Sequence, residues 1–151
     1  MPAISFSSFR IEILDGKKRQ TVRNPRKNPI KAGDLLHLFY KQRTSECMKL
    51  GIANCLSVAD IEIHECCLYV GGLAICTEQR MHEFAVADGF QDWEGLIEWF
   101  KVSEGKPFKG VLIKWEYPFP VTQEALGYQK SWNEALEANT MIFSFLNERV
   151  A

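Results

Sequence analysis

The hydrophobic residues of this chain shift from strand to helical period near Thr77, and that shift limits the fold more than any single motif does. Ahead of it, apolar runs of strand length alternate with turn residues: Asp34 to Tyr40, Leu50 to Val58, Ile61 to His64, and Cys67 to Cys76 with Gly71-Gly72 as a bulge or turn inside it. Behind it, Glu78 to Ala87 reads as a helix with Thr77 as its N-cap. Asp92 caps a second helix, in which Trp93, Leu96, Ile97 and Phe100 fall on one face. Phe108 to Glu116 returns to a strand after a turn marked by Gly105 and Pro107. Closer to the N-terminus, Phe6, Phe9, Ile13 and Leu14 recur near helical spacing until Gly16, and Thr21 to Arg23 reads as a short strand. Strands interrupted by helices, without regular alternation, predict an α+β domain built as a small, partly closed β-barrel rather than a doubly wound sheet.

The last 35 residues have a different character. Tyr117-Pro118-Phe119-Pro120 reads as an extended linker, and Trp132, Leu136, Phe143 and Leu146 mark an added C-terminal amphipathic helix. The expected organisation is a domain over 1–116, with 117–151 as a linker and helix packed on it. The alternative for that helix is a second copy, in a homodimer.

At 151 residues and 46% apolar, the chain is long enough to bury a sizeable core. The N-terminus lacks the continuous apolar stretch of a signal peptide, and no run approaches a membrane span, so a cytoplasmic protein with no membrane partner is expected. Five cysteines, an odd number, do not make a secreted disulfide framework, so reduced thiols are expected. Cys47, Cys55, His64, Cys66 and Cys67 do not form paired metal knuckles either. No metal and no cofactor is expected.

Charge is distributed unevenly. Residues 1–50 carry 11 Lys/Arg against 4 Asp/Glu, although the whole chain has a net charge of −1. Between Gly16 and Gly33 stand seven basic side chains and no acidic one: Lys17, Lys18, Arg19, Arg23, Arg26, Lys27 and Lys31. This asymmetry points to a local anion site, and the acidic remainder disfavours extended binding to duplex nucleic acid. Within the segment, Lys18, Thr21 and Arg23 place an amine, a hydroxyl and a guanidinium one or two strand steps apart. That set suits gripping a polyanion or attacking a carbonyl. Arg43 and Thr44, after the strand 34–40, are candidates for the same rim, and Phe39 or Tyr40 for stacking a base there. Trp93, Trp99 and Trp115 sit at periodic apolar positions and are expected in the core. His82 and Glu83 read as a surface pair.

Several stretches together resemble the ASCH domain, a branch of the PUA-like barrel superfamily. They are Ile13-Leu14-Asp15-Gly16-Lys17-Lys18 with Thr21-Val22-Arg23, Lys31-Ala32-Gly33-Asp34-Leu35, Ala87-Asp88-Gly89-Phe90 with Trp93 and Trp99-Phe100, and Phe108 to Trp115. The resemblance covers about residues 3–116. It implies a small barrel with a cleft beside Gly16–Arg23, and RNA, a nucleotide or a modified nucleoside as partner. Some relatives are similar to amidohydrolases of N4-acetylcytidine that use a Lys, a Thr and a downstream Glu. Lys18 and Thr21 match the first two, and the third falls on Asp88, one methylene shorter. The leading expectation is a binding module, with Lys18, Arg19 and Arg23 contacting phosphate, Thr21 a sugar or base, Asp88 an exocyclic amine, and Lys17 and Arg43 as further ligand contacts. The alternative is an amide hydrolase with Lys18 as base, Thr21 as nucleophile and Asp88 as orienting acid. Ribonuclease action ranks last, because no histidine pair is evident.

Overall fold

The structure, a computed structural model, describes residues 2–117. The expected C-terminal helix, its packing and its dimer contact lie outside the described residues. The described chain is α+β, as expected. In order it forms β1 (Ala3–Phe6), α1 (Arg10–Leu14), β2 (Gln20–Arg23), β3 (Leu35–Tyr40), β4 (Met48–Ile63), β5 (Leu68–Val70), β6 (Leu73–Ile75), α2 (Glu78–Ala87), α3 (Trp93–Trp99) and β7 (Phe108–Trp115).

The 16-residue β4 is the spine of the fold. Its first half pairs antiparallel with β3, its second half with β7, and its last three residues also with β5. The break expected between Val58 and Ile61 is not made, because Ala59 and Asp60 pair with Leu112 and Val111. Two irregularities bend the strand instead, with Leu50 and Leu56 each inserted between consecutive ladder pairs. A bulge of this kind raises local twist, which lets one strand serve both halves of a curved sheet. β2 pairs antiparallel with β7, and β1 pairs parallel with β3. The seven strands form one sheet that does not close on itself.

Two apolar clusters fill the interior. Ile4, Phe6, Ile13, Leu36, Leu38, Leu50, Ile113 and Trp115 form one under β1, α1 and β3. Val22, Ile61, Ile63, Leu68, Met81, Ala85, Leu96 and Leu112 form the other under α2 and α3. Each fully buried Leu or Ile contributes roughly 1.5–3 kcal/mol. Thr77 caps α2 by accepting from the Arg80 amide, and Asp92 caps α3 by accepting from the Gly95 amide, as the sequence predicts.

Two expectations are corrected. The helical reading from Phe6 to Leu14 fails at its start, since Ala3–Phe6 is a strand and helix begins only at Arg10. Parallel pairing with β3, Phe6 opposite Tyr40, overrides the local periodicity. The five cysteines are not all thiols, because Cys67 and Cys76 form a disulfide. Gly71-Gly72 makes a two-residue hairpin turn between β5 and β6, with Leu68 opposite Ile75. The next pair outward is Cys67 and Cys76, with Cα atoms 4.5 Å apart. Cys47, Cys55 and Cys66 are free. Among the described residues, no helix is long and apolar enough to cross a membrane.

Candidate functional site

A cavity of about 330 Å³ opens where β1, β2 and the C-terminal ends of α2 and α3 converge. That volume lies in the range of small-molecule sites. Lys18, Thr21, Arg23 and Asp88 all line it, although they come from two stretches about 70 residues apart. Its apolar walls are Phe6, Phe9, Phe90, Trp99, Phe100 and Phe108.

Lys18 is the unusual group, with its side chain only 1% exposed. Its ammonium lies 3.6 Å from the Asp88 carboxylate and donates to the Asp88 backbone carbonyl. The aromatic rings of Phe9 and Phe6 stand 4.7 and 6.0 Å from the same nitrogen. Two properties of α2 create the grip. Its last carbonyls have no intrahelical partner, and its C-terminal end carries partial negative charge, so a cation there is favoured. Asp88 is the C-cap, followed by Gly89 at φ +100. The Gly89 amide donates to Val86 and the Phe90 amide to Ala85, the paired bonds of a Schellman end. This geometry turns Asp88 inward and brings its carbonyl as well as its shorter side chain to the lysine. Gly89 is also required sterically, since a Cβ there would lie 2.7 Å from the Phe9 ring and 3.3 Å from Lys18 Cδ.

Burial dominates the titration of both partners. It pulls Lys18 down to about 8 against the opposing charge of Asp88, and Arg23 adds to the lowering. It pushes Asp88 up to about 6, while Lys18, Gln20 and Arg23 all favour the carboxylate. The amine is therefore partly neutral in mildly alkaline solution.

Thr21, buried at 4% exposure, is held by the pairing of β2 with Ile113 of β7. Its hydroxyl accepts a 3.2 Å bond from Arg23 Nε. The Arg23 guanidinium lies 4.6 Å from the centre of the Phe6 ring. Lys18, Thr21, Arg23 and Asp88 are thus brought together.

The other proposed contacts are not. Lys17 is exposed, pairs with Asp15, and borders a separate, mostly apolar groove with His82 and Glu83. Arg19 folds back on its own loop, where Nε donates to the Gly16 carbonyl and the guanidinium lies over Tyr117. Arg43 occupies an exposed left-handed turn after β3 and does not border the cavity. Phe39 and Tyr40 are likewise absent from its walls. Trp115 is core, as expected, whereas Trp99 is 52% exposed and lines the cavity.

Four participants escaped the sequence reading. Gln20 is buried and donates a 3.4 Å bond to Asp88 Oδ1. Phe6 lies against both Lys18 and Arg23, Phe9 lies against Lys18, and Lys101 joins the lining from the residue after Phe100. For Gln20 the signal in the sequence was its place beside Thr21, and its burial is seen only in the fold. Phe9 and Lys101 share a backbone signal invisible in sequence, φ values of +67 and +54. Such conformations cost energy in residues other than glycine and cluster at functional sites.

No family model, curated protein or solved structure matches the chain.

Proposed function

We propose that this chain is a PUA-like barrel protein of the ASCH type, whose cavity binds an N4-acylated cytidine and hydrolyses its amide. One observation carries the reading: a fully buried lysine of lowered pKa shares a small-molecule cavity with a buried threonine and a carboxylate. The pairing of β2 with β7, and of β7 with the bent β4, curves the open sheet, and that curvature supports the barrel reading.

In this mechanism the neutral Lys18 amine takes the proton of Thr21 as its oxygen bonds to the acyl carbon. Arg23, already donating to that oxygen, orients the hydroxyl for the attack. Collapse breaks the C–N bond, and the Lys18 ammonium returns its proton to the leaving exocyclic amine. Water then attacks the threonyl ester with Lys18 again as base, releasing the carboxylic acid and restoring the hydroxyl. Asp88 and its carbonyl position the lysine throughout. Lys18 and Thr21 both line the cavity, and contacts between a base and its nucleophile tighten when substrate enters.

The test is incubation of the purified chain with N4-acetylcytidine and chromatographic measurement of cytidine. Release above background is expected, reduced at least about 100-fold by Thr21→Val and by Lys18→Met. No release by the wild-type chain rejects hydrolysis. The second reading, binding of a nucleotide or RNA without turnover, is favoured by Arg23 in the cavity wall and by the surrounding basic segment.

A further inference from the structure

The charges lining the cavity do not balance. Lys18, Arg23 and Lys101 contribute three cations, and Asp88 contributes the one carboxylate. That carboxylate is engaged by Lys18 and Gln20. Arg23 and Lys101 form no ion pair with any carboxylate among the described residues. Arg23 is half-buried and held in place, its Nε on Thr21 and its plane over Phe6. Burial lowers its pKa, the nearby charge of Arg26 lowers it further, and the Asp88 carboxylate opposes both. Lys101 is exposed, with its backbone in a left-handed turn after α3, and the hydroxyl residues Ser7 and Ser8 with Asn24 complete the polar part of the lining.

A ligand that fills the cavity expels water from the guanidinium. A neutral nucleoside offers hydrogen-bond acceptors but no counter-charge in exchange, and an uncompensated buried charge is costly. An anion restores the balance, with the bidentate geometry that Arg offers to phosphoryl oxygens. We infer that the cavity takes a phosphorylated pyrimidine nucleoside, a mononucleotide, with its phosphoryl group bound by Arg23 and Lys101 and its base among the aromatic walls. This rests on the nucleoside reading above and adds the anion to it. It also assigns Lys101, outside the reacting groups, to substrate selection.

The experiment is calorimetric titration of the full chain with cytidine, cytidine 5′-monophosphate and inorganic phosphate, at low and high salt, beside the N4-acetylcytidine assay. The expected result is binding of the monophosphate at least about tenfold tighter than cytidine or phosphate at low salt, with the gap narrowing as salt rises. Lys101→Glu is expected to bring the monophosphate to or below the affinity of cytidine. Equal binding of cytidine and its monophosphate overturns the inference, and deacetylation in the parallel assay then leaves the hydrolase reading standing. Phosphate binding as tightly as the monophosphate also overturns it, because the nucleoside would contribute nothing. A preferred monophosphate without any deacetylation upholds the anion subsite and rejects hydrolysis.

Discussion

Lys18 and Asp88 meet twice: the ammonium lies 3.6 Å from the Asp88 carboxylate and donates to the backbone carbonyl of the same residue. The second contact compensates for the short side chain. A carboxylate alone would have to reach the amine, whereas a helix end brings an unpaired carbonyl with it. Both groups are removed from water, and the arrangement costs stability.

That cost is readable in the pH dependence of folding. The folded pKa of Asp88, about 6, lies above its ordinary 3.8, so its contribution to stability is complete below 3.8 and is lost as pH rises through 6. The folded pKa of Lys18, about 8, lies below its ordinary 10.5, so its contribution is complete above 10.5 and is lost as pH falls through 8. The pair therefore destabilises most between about pH 6 and 8, where both groups are held charged out of water. Each tenfold change in proton affinity between the unfolded and folded chain corresponds to about 1.4 kcal/mol. Denaturant titrations across this range should show a dip in unfolding free energy that the double variant Lys18→Met, Asp88→Leu removes. A wild-type curve without the dip would contradict the buried ion pair.

Activity should depend on the same lysine. With neutral Lys18 as base, kcat/KM for N4-acetylcytidine is expected to rise with pH and level off above about 8. Asp88 raises the lysine pKa, so Asp88→Asn should move the ascending limb to lower pH while reducing the plateau. A limb that stays in place would show that another group is the base.

Gly89 offers a test of geometry without touching any reacting atom. Gly89→Ala adds a Cβ at φ +100 and against Phe9, and is expected to cost about 1–3 kcal/mol. Because Phe9 stacks on Trp99 and Phe90, the intrinsic fluorescence should change as well. Thermal denaturation indistinguishable from wild type would mean that this helix end is not packed as described.

Thiol counting checks the hairpin. Without reductant, Cys47 and Cys66 should react in the folded chain and Cys55 only on unfolding, three thiols in all. Reduction should raise the count to five. Cys76→Ser should lower stability by about 2–3 kcal/mol, the usual effect of opening a short disulfide loop. Five reactive thiols in unreduced, unfolded protein would exclude the Cys67–Cys76 bond.

Much of the local structure was legible in the sequence. Thr77 and Asp92 announce their helices, because a capping oxygen serves an amide three residues away. Leu35–Tyr40 and Phe108–Trp115 announce themselves by apolar runs bounded by turn residues. The long β4 did not, since only its partners across the sheet show that Ala59 and Asp60 continue it. Gly71-Gly72 marked a bulge or turn, but the disulfide needed the hairpin register.

For the site, the chemistry was readable along the chain: a lysine, a threonine and an arginine spaced along one strand and the loop before it, in a segment free of acids. The sequence also offered Asp88, through resemblance alone. Only the tertiary structure decided which cations matter. Lys17, Arg19 and Arg43 are chemically equal to Lys18 and Arg23 along the chain, yet they lie outside the cavity. The physical reason is burial, which comes from Phe6, Phe9 and the end of α2, about 70 residues from Lys18 along the chain. Withdrawal from water turns one of seven basic side chains into a perturbed amine, and that withdrawal belongs to the packed fold.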